Sequence, residues 1–259
     1  ALEGENFDGH AYAEDVQAAA VLVRRDDVAT DRPRVIVDDT IEALGAIAQA
    51  HRIRWGGPVV VVTGSVGKTT TREFLEAGLR GSGLKVCATL GNLNNLVGLP
   101  LSVLMLSEEH EVGVFEAGTS APGEIEALGG IALPDCAIVT AIGVAHSEGL
   151  GDLHAIREEK LSLLDCLDGE DFCVLAGDDA HLQDVATEAR VLYYGTAEDA
   201  HLRLTGRVLE IEVAQGQAAS LVRIVTLILP SGREETLRMR RVGRGATLAA
   251  AAAITTITE

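Results

Sequence analysis

The apolar positions change period along the chain, and those changes mark its elements. Residues 18–23 (AAAVLV) and 34–37 read as short strands. Asp39 and Thr40 predict a helix cap, with Ile41, Leu44, Ile47 and Ala48 sharing one face through about residue 50. Residues 51–58, with Trp55, Gly56 and Gly57, read as a linker in which Trp55 packs. From residue 58 onward, strand and helix patterns alternate. Strands are predicted over 59–63, 84–88, 111–116, 136–140, 172–175 and 191–194, with helical segments between them. Such alternation predicts a parallel sheet covered on both faces. After about residue 201 the texture shifts. Runs at 202–204, 207–213, 221–229 and 235–239, broken by Gly206, Gly216 and Pro230-Ser231-Gly232, predict an antiparallel meander at the sheet's edge. Residues 246–258 (ATLAAAAAITTIT) predict a closing helix behind a loop at 243–245.

The sharpest local signal is VVVVTGSVGKTTT at 59–71. Four consecutive valines cannot all face water, so the run reads as a buried strand. Gly64, Ser65, Val66 and Gly67 break it. Lys68, Thr69, Thr70 and Thr71 then open a helix with Phe74, Leu75, Ala77 and Leu79 as apolar positions. Strand, glycine turn and helix start make an anion site, because the first helical N–H groups have no partner inside the helix. Lys68 adds a point charge for a phosphate, and Thr69 a hydroxyl suited to Mg2+. The motif is not a complete Walker A sequence, since Val62 stands where that pattern has its first glycine. Ligands of such sheets bind beyond the carboxyl ends of the strands. Four spots are thereby selected: residues 64–70, 89–95, 116–120 and 140–146. The expected fold class is α/β, with a parallel P-loop-type sheet flanked by helices, an antiparallel edge meander, and a partial small N-terminal α/β domain.

At 259 residues, the chain has room for one large domain or two smaller ones. A net charge of −18 argues against a nucleic-acid partner, which needs a basic face. A polyanionic ligand must then be held by local cations, metal and backbone N–H groups. No apolar run reaches membrane-spanning length, so no membrane insertion is expected. Cys87, Cys136, Cys166 and Cys173 lack metal-ligand spacing and read as reduced core thiols, which fits a cytoplasmic protein. The chain opens on Ala1 inside what reads as a strand end, and the expectation is a fragment of a longer protein.

Further candidates lie at the predicted rim. Glu116 ends a strand facing the phosphate turn, where a carboxylate either binds Mg2+ or is simply solvated. His146, in the loop after another strand, reads as a metal or phosphate ligand or as a structural histidine. Lys160 falls in the middle of the apolar face of a helix predicted over 152–167, among Leu153, Ile156, Leu163, Leu164 and Leu167. A lysine there snorkels, pairs or is chemically altered, and carbamylation by CO2 would make it a cation-binding carboxylate. Asn92, Asn94 and Asn95 follow the second strand, either as turn chemistry or as readers of a polar substrate. Arg233, Arg238, Arg240, Arg241 and Arg244 form the one basic cluster, either a solvated face or a phosphate-holding one.

These runs, in this order, resemble the Mur ligases: TGSVGKTTT, GNLNNLVGLPLSVL, EAGTSAPGEI, and TAIGVAHSEGLG with Lys160 behind it. GNLNN and GLPL are similar to the branch that adds D-alanyl-D-alanine to UDP-N-acetylmuramoyl-tripeptide, as is GENFDGH near the start. The resemblance covers nearly the whole chain. It implies an ATP-dependent amide ligase of peptidoglycan precursor synthesis, acting as a cytoplasmic monomer through an acyl phosphate. Residues 1–55 would be part of a UDP-sugar-binding domain and 56–259 the central ATP-binding domain, with the family's C-terminal domain absent. By matching position, Gly64, Ser65, Val66, Gly67, Lys68, Thr69 and Thr70 would hold the ATP phosphates, with Lys68 on the β and γ oxygens. Thr69 and Glu116 would bind one Mg2+, with His146 assisting. Lys160, as a carbamate, would support a second Mg2+. Thr89, Asn92, Asn94 and Asn95 would line the muramoyl-peptide side.

The chain departs from the family pattern at Val66, Ala141 and Ala176, each standing for an asparagine, and at Gly243-Arg244-Gly245-Ala246, standing for G-R-H-N. The positions after Val66 bear on nucleotide contacts in the family. A ligase of the folylpolyglutamate-synthase type and a non-catalytic nucleotide-binding relative share these motifs and remain open as readings of the sequence.

Overall fold

A computed structural model describes residues 1–4, 7–143, 150–212, 220–239 and 244–258. At the N-terminus, β1 (Glu3–Gly4) and β2 (Phe7–Asp8) pair antiparallel, and β3 (Val21–Val23) and β4 (Arg34–Ile36) pair parallel. Ala13, Val21, Val23 and Val28 form a small core of their own. His10 is buried there. Its Nδ1 lies 2.7 Å from Asp8 Oδ1, and its Nε2 accepts the Arg24 N–H at 3.1 Å. Arg25 closes the same cluster by donating to Glu3 and Asp8 at 2.9 and 2.8 Å.

Helix α1 (Thr40–Trp55) starts as its cap predicts, with Asp39 Oδ1 accepting the Ile41 and Glu42 N–H groups at 2.7 and 3.1 Å. It runs on through Trp55, over residues that read in sequence as a linker, and stops at Gly56 with φ 70°. The reason is tertiary. Arg52 Nε donates to Ala132 O, and Arg52 Nη2 to Leu133 O and Asp135 Oδ2, each at 2.9 Å, while Trp55 Nε1 donates to Ser107 O at 2.9 Å. These bonds fasten the last helical turn to the sheet domain. Arg52→Ala takes that donor from the buried Ala132 carbonyl and from two partly buried acceptors, so the unfolding free energy should fall by about 1–3 kcal/mol. Urea unfolding of the Arg52→Ala variant measures it.

Among the described residues, nine strands make the main sheet. Strand β5 (Val59–Thr63) leads through α2 (Lys68–Gly81) to β6 (Val86–Ala88), and then through α3 (Gly98–Val103) to β7 (Val112–Glu116). After α4 (Glu124–Ala132) come β8 (Cys136–Val139), α5 (Leu153–Leu161), β9 (Phe172–Ala176) and β10 (Arg190–Gly195). Strands β11 (Leu202–Glu212), β12 (Ser220–Ile228) and β13 (Glu234–Met239) and helix α6 (Arg244–Ile257) complete the order. The sheet reads β13-β12-β11-β10-β9-β8-β5-β7-β6. It is parallel from β6 to β11, with β12 and β13 antiparallel at one edge. The parallel sheet and its edge meander are those the hydrophobic pattern predicts. The helix predicted over 152–167 is two pieces, because α5 tightens into a 3-10 turn at Ser162–Cys166.

Every residue of β5 is buried. Each of its four valines contributes roughly 1.5–3 kcal/mol by leaving water. The strand lies between β7 and β8, with Val62 opposite both Glu116 and Ile138. The connections leave β5 on one side toward β6 and return on its other side as β8. Its carboxyl end is therefore the point where strand order reverses, the place open α/β sheets bind ligands. Among the described residues no helix is long and apolar enough to cross a membrane.

Candidate active site

The turn after β5 needs its glycines. Gly64 and Gly67 have φ of 136° and 92°, a region that side chains strongly disfavour. A Cβ on Gly64 would also collide with the Thr140 hydroxyl. Lys68 opens α2, and no side chain caps that helix start, so its first N–H groups face the turn. Lys68 Nζ folds back to donate to Gly64 O at 2.7 Å. Burial lowers the pKa of this amine, and the nearby Glu116 charge opposes the drop.

The turn is strapped to the loop after β8. Ser65 N–H donates to Ala141 O at 2.8 Å. Ser65 Oγ donates to Gly143 O at 2.8 Å and accepts the Gly143 N–H at 3.0 Å. Thr140 Oγ1 lies 2.6 Å from Val66 O and 3.1 Å from Thr63 O. Asp179, after β9, accepts the Ile142 N–H at 2.9 Å and so steadies the same loop. Gly64→Ala combines backbone strain with the collision at Thr140. Affinity for a phosphate-bearing ligand is expected to fall at least about tenfold, by isothermal titration, with the far-ultraviolet spectrum unchanged.

Glu116 ends β7 beside this turn and is 1% exposed. Its Oε1 accepts from Thr69 Oγ1 at 3.2 Å and from Asn94 Nδ2 at 2.8 Å. Its Oε2 is buried and has no hydrogen-bond partner among the described residues. A buried carboxylate oxygen without a donor is costly, and a cation there would satisfy it. With the Thr69 hydroxyl adjoining, the donor set is the oxygen chemistry that Mg2+ takes. Thr89 and Asn95 serve the framework. Thr89 Oγ1 accepts the Glu116 N–H at 3.0 Å, and Asn95 Oδ1 accepts the Val97 and Gly98 N–H groups at 3.2 and 2.9 Å at the start of α3.

Lys160 is 2% exposed, on α5. Burial, and then the charge of Lys68, push its amine down to about 8, against the opposing pull of Glu159 and Glu124. The two lysines thus lie within electrostatic reach of each other. Neighbouring Glu159 accepts the Gly123 and Ile125 N–H groups at 2.7 and 2.8 Å, tying α5 to the start of α4. Glu124 accepts the Ser120 and Ala121 N–H groups at 2.6 and 3.1 Å. Neither glutamate stands out in the sequence. The one available signal for Glu124 is its place after Pro122-Gly123 at a helix start. His146, Arg240 and Arg241 lie outside the described residues.

Two separate cavities adjoin the turn, one with Lys68 in its wall and the other with Gly67. One, of about 300 Å3, is lined by Lys68, Asn92, Asn94, Asn95, Thr119 and Glu124, among others. It is polar and holds the asparagines singled out in the sequence. The other, of about 470 Å3, lies between the turn, the loop after β8, Tyr194 of β10 and the first residues of α6. Its walls include Gly67, Thr70, Thr71, Thr140, Ala141 and Ala246.

The chain is similar to known proteins in sequence and in fold. The Mur ligase middle domain matches residues 62–257. A UDP-N-acetylmuramoyl-tripeptide--D-alanyl-D-alanine ligase from Bacillus subtilis (strain 168) is 40% identical over 200 residues, covering 75% of this chain and 43% of that protein. A MurF structure from Acinetobacter baumannii superposes with a TM-score of 0.86 at 28% identity, over 100% of this chain and 55% of that one. The MurF ligase of Thermotoga maritima in complex with ADP gives 0.85 at 30% identity, over 100% of this chain and 58% of that one. The chain spans about half the length of the relatives it matches.

Proposed function

The chain belongs to the Mur ligase family through its middle domain, and from that premise we propose that the protein carrying it is an ATP-dependent ligase that joins D-alanyl-D-alanine to UDP-N-acetylmuramoyl-tripeptide. The observation that carries this reading is the pair of cavities lined by neighbouring residues of the phosphate turn, Gly67 in one and Lys68 in the other. A ligase that spends a nucleotide to join two molecules needs both: one for the nucleotide and one for the carboxylate to be activated. The ligase activity for which the Bacillus subtilis relative is named and the ADP bound to the Thermotoga maritima relative support the two assignments.

In this reading the triphosphate lies in the turn of Gly64, Ser65, Val66, Gly67, Lys68, Thr69 and Thr70. The open N–H groups of α2 and the Lys68 ammonium take up charge on the β and γ oxygens. The tripeptide sits on the asparagine side, along Asn92 and Asn94, with Thr89 and Asn95 holding that rim in shape. Its terminal carboxylate attacks the γ phosphorus, the bond to ADP breaks, and an acyl phosphate forms. The free amine of the dipeptide then attacks the acyl carbon, phosphate departs with the bonding pair, and the nitrogen loses its proton. Glu116 and Thr69 would hold one Mg2+ and the carbamate of Lys160 a second, with His146 as a further ligand. Two such ions would neutralise the charge between carboxylate and triphosphate. The carbamate forms when the unprotonated Lys160 amine adds to the carbon of CO2 and releases a proton. Burial and Lys68 favour that unprotonated amine.

Residues 1–55 belong to the UDP-sugar side and 56–259 to the nucleotide side. The four free thiols fit action in the cytoplasm, and we take the protein to act as a monomer. Phosphate release by the intact protein tests the assignment. It should require ATP, UDP-N-acetylmuramoyl-tripeptide and D-alanyl-D-alanine together. Equal release with a single amino acid in place of the dipeptide, or with a folate substrate in place of the tripeptide, would overturn it.

A further inference from the structure

One wall of the polar cavity is held by a side chain from another element. Gly118, Thr119, Ser120 and Glu124 line that wall. Between Ser120 and Glu124 the chain turns through Pro122, which has no N–H, and Gly123, which has φ of 83° and no side chain. Helix α4 therefore starts without a side-chain cap from its own N-terminal residue. Two carboxylates accept the N–H groups exposed there. Glu124 takes those of Ser120 and Ala121 at 2.6 and 3.1 Å. Glu159 reaches across from α5 and takes those of Gly123 and Ile125, one on each oxygen, at 2.7 and 2.8 Å. Glu159 is buried, and both of its oxygens are committed to α4.

These bonds differ in kind from the apolar packing around them. Burial of apolar surface is non-directional and lets two helices slide or turn against each other. Two charge-assisted hydrogen bonds on one carboxylate fix both the height and the rotation of α5 against the start of α4. Lys160 is the next residue on α5, about 100° further around the helix axis. Whatever holds Glu159 therefore aims Lys160. Lys68 and Glu124, whose charges act on the Lys160 amine, both line the polar cavity.

We propose that Glu159 is a positioning residue, which clamps α5 to the start of α4 and so holds Lys160 in fixed register with the wall of the polar cavity. The proposal rests on the ligase reading of Lys160 and adds what keeps that lysine in place while the substrate carboxylate is activated.

Glu159→Gln in the intact protein tests it. The amide keeps one acceptor and turns a donor toward the other N–H. ATP-dependent phosphate release at saturating substrates should fall about tenfold to a hundredfold, the cost of a misplacement on the order of 1 Å. The KM for ATP should stay within about twofold, because the Glu159 bonds go to α4 and not to the phosphate turn. A second readout needs no turnover. With isotope-labelled bicarbonate, carbon NMR of the wild type should show a carbamate resonance that Lys160→Met lacks. Glu159→Gln should need at least about tenfold more bicarbonate to reach half its height. Glu159→Asp, which keeps the charge on a shorter stem, should show the same split to a smaller extent. Unchanged turnover or an unchanged resonance in Glu159→Gln would overturn the proposal. So would a loss of turnover matched by a rise in the KM for ATP, or failure of both variants to fold, since Glu159 would then serve the fold alone. If the wild type gives no carbamate resonance, the reading of Lys160 itself fails and this proposal with it.

Discussion

Lys160→Met in the intact protein is expected to lower ATP-dependent phosphate release on the order of a thousandfold, the scale of losing a preorganised charge from a reacting centre. Methionine keeps the length and apolar packing of the stem, and the site on α5 is 2% exposed, so the fold should survive. Short carboxylates such as formate should restore part of the activity by standing in for the lost carbamate. Stability should move the other way. The folded protein holds the Lys160 amine at about 8, below its ordinary 10.5. Between those values the unfolded chain binds more protons, so wild-type stability rises with pH across that window. Below 8 the buried ammonium costs the folded state its full penalty. In CO2-free buffer, Lys160→Met should therefore melt above wild type at pH 7, and the gap should close as pH rises toward 10.5. A residue that merely packs would lose stability on replacement and show no such closing gap. Full activity in Lys160→Met would sink its assignment to the chemistry.

The second large effect is expected at Glu116. Glu116→Gln keeps Oε1 and so can retain the bonds from Thr69 and Asn94 at 3.2 and 2.8 Å. What changes is Oε2, the buried oxygen with no donor. The amide replaces it with a donor and removes the negative charge, the two properties a magnesium ion depends on. The half-saturating Mg2+ concentration for turnover should rise at least about a hundredfold. A measurement without turnover separates this from damage to the fold. Mg2+ should raise the wild-type melting temperature, because it binds the folded state alone. That rise should vanish in Glu116→Gln, while the melting temperature without Mg2+ stays level or increases. An undiminished Mg2+ response in the variant would remove Glu116 from the metal site.

The sequence carries much of this architecture because β5 and its turn are local signals. Four valines and a glycine break fix Val59–Thr63 to the residue, and the alternation that follows fixes the parallel sheet. Lys160 is legible for a similar reason: a cation amid leucines at helical spacing contradicts its surroundings wherever the helix packs. Other features depend on partners far away in sequence. The α1 end through Trp55 is decided by Arg52 reaching residues 80 or more positions on, and propensity near Gly56 and Gly57 gives no hint of it. Glu159 looks like one more charge on a polar face, yet it binds N–H groups 34 and 36 positions earlier. Asn95 and Thr89, which the resemblance puts on the substrate side, also have a backbone role that the sequence does not show: their side-chain oxygens accept backbone N–H groups, while Asn95 lines the polar cavity.

The straps on the phosphate turn set an order of events for a chain being synthesised. Ser65 and the carbonyl of Val66 find their partners 78 and 74 residues further on, at Gly143 and Thr140. Until β8 has been made and laid beside β5, only local bonds such as Lys68 Nζ to Gly64 O hold the glycine turn, and contacts over such separations close slowly. A nascent chain halted before residue 140 should thus be blind to nucleotide, and one released beyond it should acquire sight of it. Ligand capture would then serve as a timestamp for the moment the two halves of the sheet join.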